Sequence, residues 1–262
     1  MLGAIVGDIA GSTREWHNVK SKRFELLPKK SFFTDDTVMT LAVARWLVEA
    51  PEHDSDSLVI AMQELGRRYP HAGYGGRFRM WLQEVAPAPY NSWGNGSGMR
   101  VSPVALYART FEECLDLAKR SAEVTHNHPE GIKGAQAVAA AAFMAGHGNS
   151  KNDIRRYVAE TFGYNLNRTI KQIRPAYEFT ESSQGSVPEA IIAYLESTGF
   201  EDAIRNAISI GGDSDTIAAM TGAIAAAEYG IPQEIADFCT GKLTPDLREI
   251  LVCFERTVSN RT

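Results

Sequence analysis

Residues 213–229 read DSDTIAAMTGAIAAAEY, and residues 34–46 read TDDTVMTLAVARW. In each, a short acidic and hydroxyl run opens an apolar pattern of helical period. Ile217, Ala218, Met220, Thr221, Ile224 and Ala225 follow one run; Val38, Met39, Leu41, Ala42, Ala44 and Trp46 follow the other. Both runs therefore stand at helix N-termini, where exposed N–H groups and the helix dipole favour negative charge. Capping alone accounts for either run taken singly. A cap uses one oxygen, however, whereas Thr34, Asp35 and Asp36, and likewise Asp213, Asp215 and Thr216, supply two carboxylates and a hydroxyl per run. If the fold joins them, these hard oxygen donors suit Mg²⁺, Mn²⁺ or Ca²⁺ and suit zinc poorly.

Helical periodicity recurs outward from these runs. It covers Asp36 to Ala50, Ser57 to Arg68, Met99 to Ala108, Phe111 to Val124 and Gly131 to Ala145, then Asp153 to Phe162, Pro188 to Glu196, Glu201 to Ser209, Asp215 to Tyr229 and Pro245 to Arg256. Thr244 and Pro245 are the expected cap and first residue of the last. Only Gly3 to Val6 and Phe24 to Leu27 carry strand signals, and both are too short to found a sheet. The chain is expected to be all-α, a compact helical bundle. No linker divides it and no repeat of solenoid period recurs, so residues 1–262 are expected to form one domain. Small residues, among them Gly7, Gly11, Ala135, Ala139 to Ala142, Gly222 and Ala225 to Ala227, allow close helix approach, so ligand sites can arise between facing helices.

A net charge of −5 with no basic block excludes a dominant electrostatic grip on nucleic acid. An anionic substrate would need metal ions or local backbone donors. Cys114, Cys239 and Cys253 have neither zinc nor redox-pair spacing, and the N-terminal segment lacks the pattern of a signal peptide, so reduced thiols in the cytoplasm are expected. The longest apolar stretch, Ala135 to Gly146, is too short to span a membrane and reads as a buried helix.

Other segments carry weaker chemistry. Asp8, between Gly7 and Gly11, serves equally as a turn or packing residue or as a ligand. Glu15 lies in a polar segment, Ser12 to Arg23, expected to be mobile, from which a carboxylate can reach into a cleft. Asn91 to Gly98 is glycine-rich and runs into a helix, a setting in which phosphate oxygens bind. His126 and His128 lack a third zinc ligand, so a hydrogen-bonding role is expected of them. Tyr74-Gly75-Gly76-Arg77 with Arg79 stays unassigned. No Gly-x-Ser-x-Gly elbow, Walker A loop or His-Glu-x-x-His helix is present.

Five motifs stand in order: Gly7-Asp8…Gly11…Glu15; Thr34-Asp35-Asp36-Thr37; Gly94-Asn95-Gly96 to Met99-Arg100-Val101; Thr125-His126…Gly131…Gly134-Ala135; and Gly211-Gly212-Asp213-Ser214-Asp215-Thr216. With them the chain resembles the ADP-ribosylglycohydrolase family over residues 1 to about 230. The resemblance implies an all-helical domain with two Mg²⁺ or Mn²⁺ ions in a cleft. Thr34, Asp35 and Asp36 would hold one side of the pair, and Asp213, Asp215 and Thr216 the other. Glu15 falls where the family carries a gating glutamate on a flap. Ser92, Gly94 and Asn95 fall where the diphosphate of ADP-ribose is cradled, and His126 falls where a histidine contacts the nucleotide. The implied reaction is metal-assisted hydrolysis of the bond joining ADP-ribose to a protein side chain or small conjugate, with Glu15 or Asp36 as proton acceptor. A dinuclear phosphoester hydrolase and a non-catalytic ADP-ribose binder are the alternatives. The acceptor, the choice between the two metals and the oligomeric state are left open by the sequence.

Overall fold

The computed structural model describes residues 1–261 and is all-α, with fifteen helices and, among the described residues, a single isolated β-bridge between Gly94 and Ser182. In chain order these are α1 (Leu2–Gly11), α2 (Asp35–Glu49), α3 (Ser55–Arg68), α4 (Gly76–Trp81), α5 (Gly96–Met99), α6 (Ser102–Tyr107), α7 (Phe111–Glu123) and α8 (Pro129–Gly146). There follow α9 (Lys151–Phe162), α10 (Ile170–Ile173), α11 (Ser183–Leu195), α12 (Phe200–Ile210), α13 (Ser214–Tyr229), α14 (Gln233–Lys242) and α15 (Pro245–Ser259).

The N-terminal strand signal was misleading: Gly3 to Val6 lies inside α1, and Phe24 to Leu27 is irregular. All residues of α1 from Gly3 to Gly11 are buried, so the apolar run has no exposed face to reveal its period. Gly3, Gly7 and Gly11 face α13 at four-residue intervals. A methyl group on Gly7 would lie 2.0 Å from the Ala218 carbonyl oxygen, one on Gly3 2.2 Å from that of Gly222, and one on Gly11 2.3 Å from the Asp215 Cα. The two helices thus meet backbone to backbone. This seam sets Asp8 and the chain leading to Glu15 beside the start of α13.

Around α13, which is buried from Ser214 to Ala225, pack α1, α8, α11 and α12. The alanine-rich α8 is buried as expected from its composition. On the other side α2 packs against α3, α6 and α15 and touches α1, which brings its N-terminus to that of α13. Departures from the expected helices have local causes. The segment from Met99 to Ala108 is broken at Arg100 and Val101 into α5 and α6. Helix α11 starts five residues before the interior Pro188, where Ser182 caps it by accepting from the Gly185 N–H (3.1 Å).

Candidate active site

All of the expected metal, catalytic and substrate residues, namely Glu15, Thr34, Asp35, Asp36, Ser92, Gly94, Asn95, His126, Asp213, Asp215 and Thr216, line one cleft of about 510 Å³. The two acidic runs, 180 residues apart in sequence, touch: Thr216 Oγ1 donates to Asp36 Oδ2 at 3.1 Å. One carboxylate oxygen each from Glu15, Asp213 and Asp215 lies within 4.8 Å of the others. Glu15 therefore stands among the candidate ligands of the second run and not apart from them.

Capping explains little of this arrangement. Thr34 does cap α2, accepting from the Asp36 N–H at 3.3 Å, but Asp213 occupies the cap position of α13 with no capping hydrogen bond. Its Oδ2 instead accepts from Asn95 Nδ2 at 2.7 Å. The start of α13 is shaped by Gly211 (φ +80°) and Gly212 (φ +69°), left-handed positions where a side chain is strained; on Gly212 a methyl group would also strike the Tyr177 ring at 2.5 Å.

Asp8 is the residue whose role sequence reasoning left open. It sits in mid-helix, wholly buried, not in a turn. It accepts from Thr34 N–H (2.9 Å), Thr34 Oγ1 (2.8 Å), Thr37 N–H (3.1 Å) and Thr37 Oγ1. Asp8 thereby fixes the first turn of α2 against α1 and aims Asp35 and Asp36 into the cleft.

The segment from Ser12 to Arg23 is irregular but pinned. The Asn18 side chain accepts from Gly212 N–H (2.7 Å) and donates to the carbonyls of Gly212 (3.1 Å) and Glu15 (2.7 Å). Lys20 donates to the carbonyls of Tyr177 (2.6 Å) and Ile210 (2.7 Å), and Trp16 stacks on Phe179 at 5.4 Å. These clamps hold Glu15 against Asp213 from outside.

Six carboxylates, Asp8, Glu15, Asp35, Asp36, Asp213 and Asp215, crowd this region. No lysine, arginine or histidine among the described residues pairs with any of them. Burial, then the neighbouring charges of Asp8 and Asp213, pushes the Asp35 carboxyl up to about 8. Burial and then Asp213 lift that of Glu15 to about 7. Asp36 and Asp215 are raised well above the ordinary carboxylate range, by burial first and by their acidic neighbours next. Asp8 rises only to about 6, because its four hydrogen bonds oppose the cost of burial. Asp36 Oδ1 is buried without a hydrogen-bond partner. An acidic cluster of this kind, rich in hard oxygen donors and missing its countercharge, can hold a metal ion.

On the opposite wall lies the loop at residues 91–98. Asn95 uses its side-chain amide to reach Asp213 and Ser186 Oγ (3.0 Å), so it ties the loop to the acidic cluster. The Gly94 and Asn95 N–H groups donate to Ser92 Oγ (3.2 Å) and the Glu181 carbonyl (2.7 Å). Gly96 and Ser97 open α5, where backbone N–H groups have no intrahelical partner. His126 is buried beneath this loop, while His128 caps α8 by accepting from the Glu130 N–H at 3.1 Å. Arg77, unassigned from sequence, lies on the cleft wall 4.6 Å over the Tyr90 ring. Arg100, which the sequence offered only as part of the Met99-Arg100-Val101 motif, and Glu181, which no local signal marked, also border the cleft.

Comparison with known proteins adds an independent line. The family model described as ADP-ribosylglycohydrolase matches residues 1–257. The chain belongs to the ADP-ribosylglycohydrolase family. The family match takes in most of α15, beyond the limit near residue 230 expected from motifs. Human ADP-ribosylhydrolase ARH3 is 27% identical over 94% of this chain and 90% of its own length. ADP-ribosylarginine hydrolase Tri1 of Pseudomonas putida is 26% identical over 88% of this chain and 70% of its own. A solved structure described as an ADP-ribosylglycohydrolase-related protein complex superposes with a TM-score of 0.72 at 22% identity, covering 98% of this chain and 97% of the other, and shows the shared fold. Membership in this family of ADP-ribosyl hydrolases supports a hydrolase acting on ADP-ribosyl glycosidic bonds. No helix of the described residues is long and apolar enough to cross a membrane.

Proposed function

We propose that this protein hydrolyses the glycosidic bond between ADP-ribose and an acceptor, a protein side chain or small conjugate, with two divalent cations, Mg²⁺ or Mn²⁺. The observation that carries the metal reading is the partnerless buried Oδ1 of Asp36 within six carboxylates that no cationic side chain neutralises. Thr34, Asp35 and Asp36 hold one side of the pair; Asp213, Asp215 and Thr216 hold the other. Bound there, the cations supply positive charge that orients the ribose hydroxyls, acidifies water and steadies an oxocarbenium-like transition state.

The chain's own groups do the rest. Asp8 and Asn95 orient Asp36 and Asp213 through the hydrogen bonds described above. Either Glu15 or Asp36 takes the proton of the attacking water; Glu15, pinned over the cleft by Asn18, also limits access of bulk water. Ser92 and the loop at Gly94 to Gly96 receive the diphosphate, with the Gly96 N–H, which has no intrahelical partner, as the backbone donor, which allows a chain of net charge −5 to hold an acidic ligand. The chain works as one domain, a reading supported by one continuous apolar core that includes both Met1 and Phe254. The cytoplasm is its proposed compartment, where the free thiols Cys114, Cys239 and Cys253 stay reduced.

The test is turnover of an ADP-ribosylated peptide with Mg²⁺ against a chelated control. Release of free ADP-ribose and unmodified peptide, lost on chelation and in Asp213→Ala, is expected. Tight binding with no release, or release of phosphate or a nucleotide instead, would defeat the proposal.

A further inference from the structure

Arg100 is an anomaly that the proposed chemistry leaves unused. Its side chain is only 1% exposed, yet it borders the cleft and pairs with no carboxylate. One amino group donates to the Ser121 carbonyl and to Thr125 Oγ1, both at 2.9 Å, while Nε is buried without a partner. Arginine stays protonated inside proteins, and a buried charge with no counterion is destabilising. Burial lowers its guanidinium to about 10, which leaves it charged at neutral pH.

The same hydroxyl that accepts from Arg100 lies 2.7 Å from His126 Nδ1. Arg100 can only donate, so Thr125 Oγ1 accepts there and has its one proton free for His126 Nδ1. An imidazole that accepts this proton carries its own hydrogen on Nε2. That nitrogen faces the phosphate loop: methyl groups on Gly96 and Gly94 would lie 3.1 and 3.5 Å from it. His126 is buried, and desolvation followed by the nearby Arg100 charge holds its pKa well below the usual value, so the ring is neutral.

We propose that Arg100 and Thr125 are positioning residues that lock His126 as an Nε2–H donor, and that Arg100 is the buried countercharge for a diphosphate seated at the turn from Ser92 to Gly96. This rests on the ADP-ribose reading of the cleft. The chain Arg100 to Thr125 to His126 runs behind the loop, so positive polarisation reaches the ligand through a hydrogen-bond donor without exposing a cation to the acidic cluster opposite. Hydrogen bonds in series strengthen one another in a low-dielectric interior.

Nitrogen-15 NMR of the histidine ring in the ligand-free protein reads the tautomer directly, and calorimetry with ADP-ribose reads the consequence. The wild-type protein should show His126 in the Nε2–H form. Thr125→Val keeps the shape, removes the hydroxyl, and should lose this tautomer preference; its ADP-ribose affinity should fall about tenfold, the scale of one hydrogen bond, with kcat within about threefold of wild type. Thr125→Ser should restore both readouts. An Nδ1–H ring in the wild type, or Thr125→Val with unchanged tautomer and affinity, would overturn the proposal. If the wild-type protein bound no ADP-ribose, the proposed function would fail, while the tautomer of wild type and Thr125→Ser would still decide whether the relay exists.

Discussion

Removing the Asp8 carboxylate tests whether one buried acceptor sets the geometry of the acidic cleft. Asp8→Ala deprives two N–H groups and two hydroxyls of their acceptor. The hydroxyls of Thr34 and Thr37 can rotate toward other oxygens; the N–H groups cannot. Each buried N–H left unsatisfied costs about 1–3 kcal/mol, and losing one buried carboxylate from a crowded cluster offsets part of the sum, so a net loss of about 3 kcal/mol is expected with Mg²⁺ present. For a chain of this size that lowers Tm by roughly 6–12 °C. Asp8→Asn retains one oxygen for both N–H groups and loses chiefly the Thr34 hydroxyl bond, so it should cost about 1 kcal/mol. Circular-dichroism melts with Mg²⁺ and with chelator, together with a Mg²⁺ titration, measure both effects. Weaker Mg²⁺ binding should accompany the Asp8→Ala loss, because the first turn of α2 is no longer aimed. An Asp8→Ala protein melting within about 2 °C of wild type, with unchanged Mg²⁺ binding, would refute the reasoning.

The raised carboxyls make a signed prediction about pH. Asp35 at about 8 and Glu15 at about 7 retain protons in the folded, metal-free chain that the unfolded chain releases above about 4. Metal-free stability should therefore fall as pH rises from about 4 to 8, and Mg²⁺ affinity should weaken as pH falls through that window. Melts at pH 5 and pH 8 with chelator check the first, and a flat profile would contradict it. Gly7→Ala places a methyl group 2.0 Å from a backbone oxygen and should cost about 3 kcal/mol or more by prising α1 from α13, read by chemical denaturation. Asn18→Ala removes the clamp on Gly212 and should speed proteolysis between Ser12 and Arg23 and lower kcat about tenfold, leaving Mg²⁺ binding within about threefold. Equal cleavage rates in the variant and wild type would show that the clamp does not hold the segment.

Much of the site was readable because each acidic run carries its own helix with it. The excess of carboxylates over capping need in Thr34 to Thr37 and Asp213 to Thr216 pointed to a cation before any contact was known. What joins the runs was not readable. The Thr216 to Asp36 contact depends on helices far apart in sequence, and only the glycine spacing of α1 hinted at the close packing behind it. Helix α1 itself was mistaken for a possible strand since burial on every side erases periodicity. Helix α14 went unseen because Ile235 and Cys239 are its only buried positions, too few for a pattern. Asp8 and Arg100 act through partners 21 to 29 residues away, so the motifs that contain them do not reveal what they hold.

The glycine seam between α1 and α13 carries a further consequence for how this scaffold tolerates change. Where main chains touch, the separation of two helices cannot drift with the choice of rotamer, so the gauge between the carboxylates they carry is a property of the skeleton. Trp16, Trp93 and Phe179 at the rim stand outside that skeleton and are solvent-facing. Exchanging Trp93 therefore alters the rim alone, whereas exchanging Trp16 or Phe179 also loosens Glu15 and leaves the spacing of the α1 and α13 carboxylates unchanged.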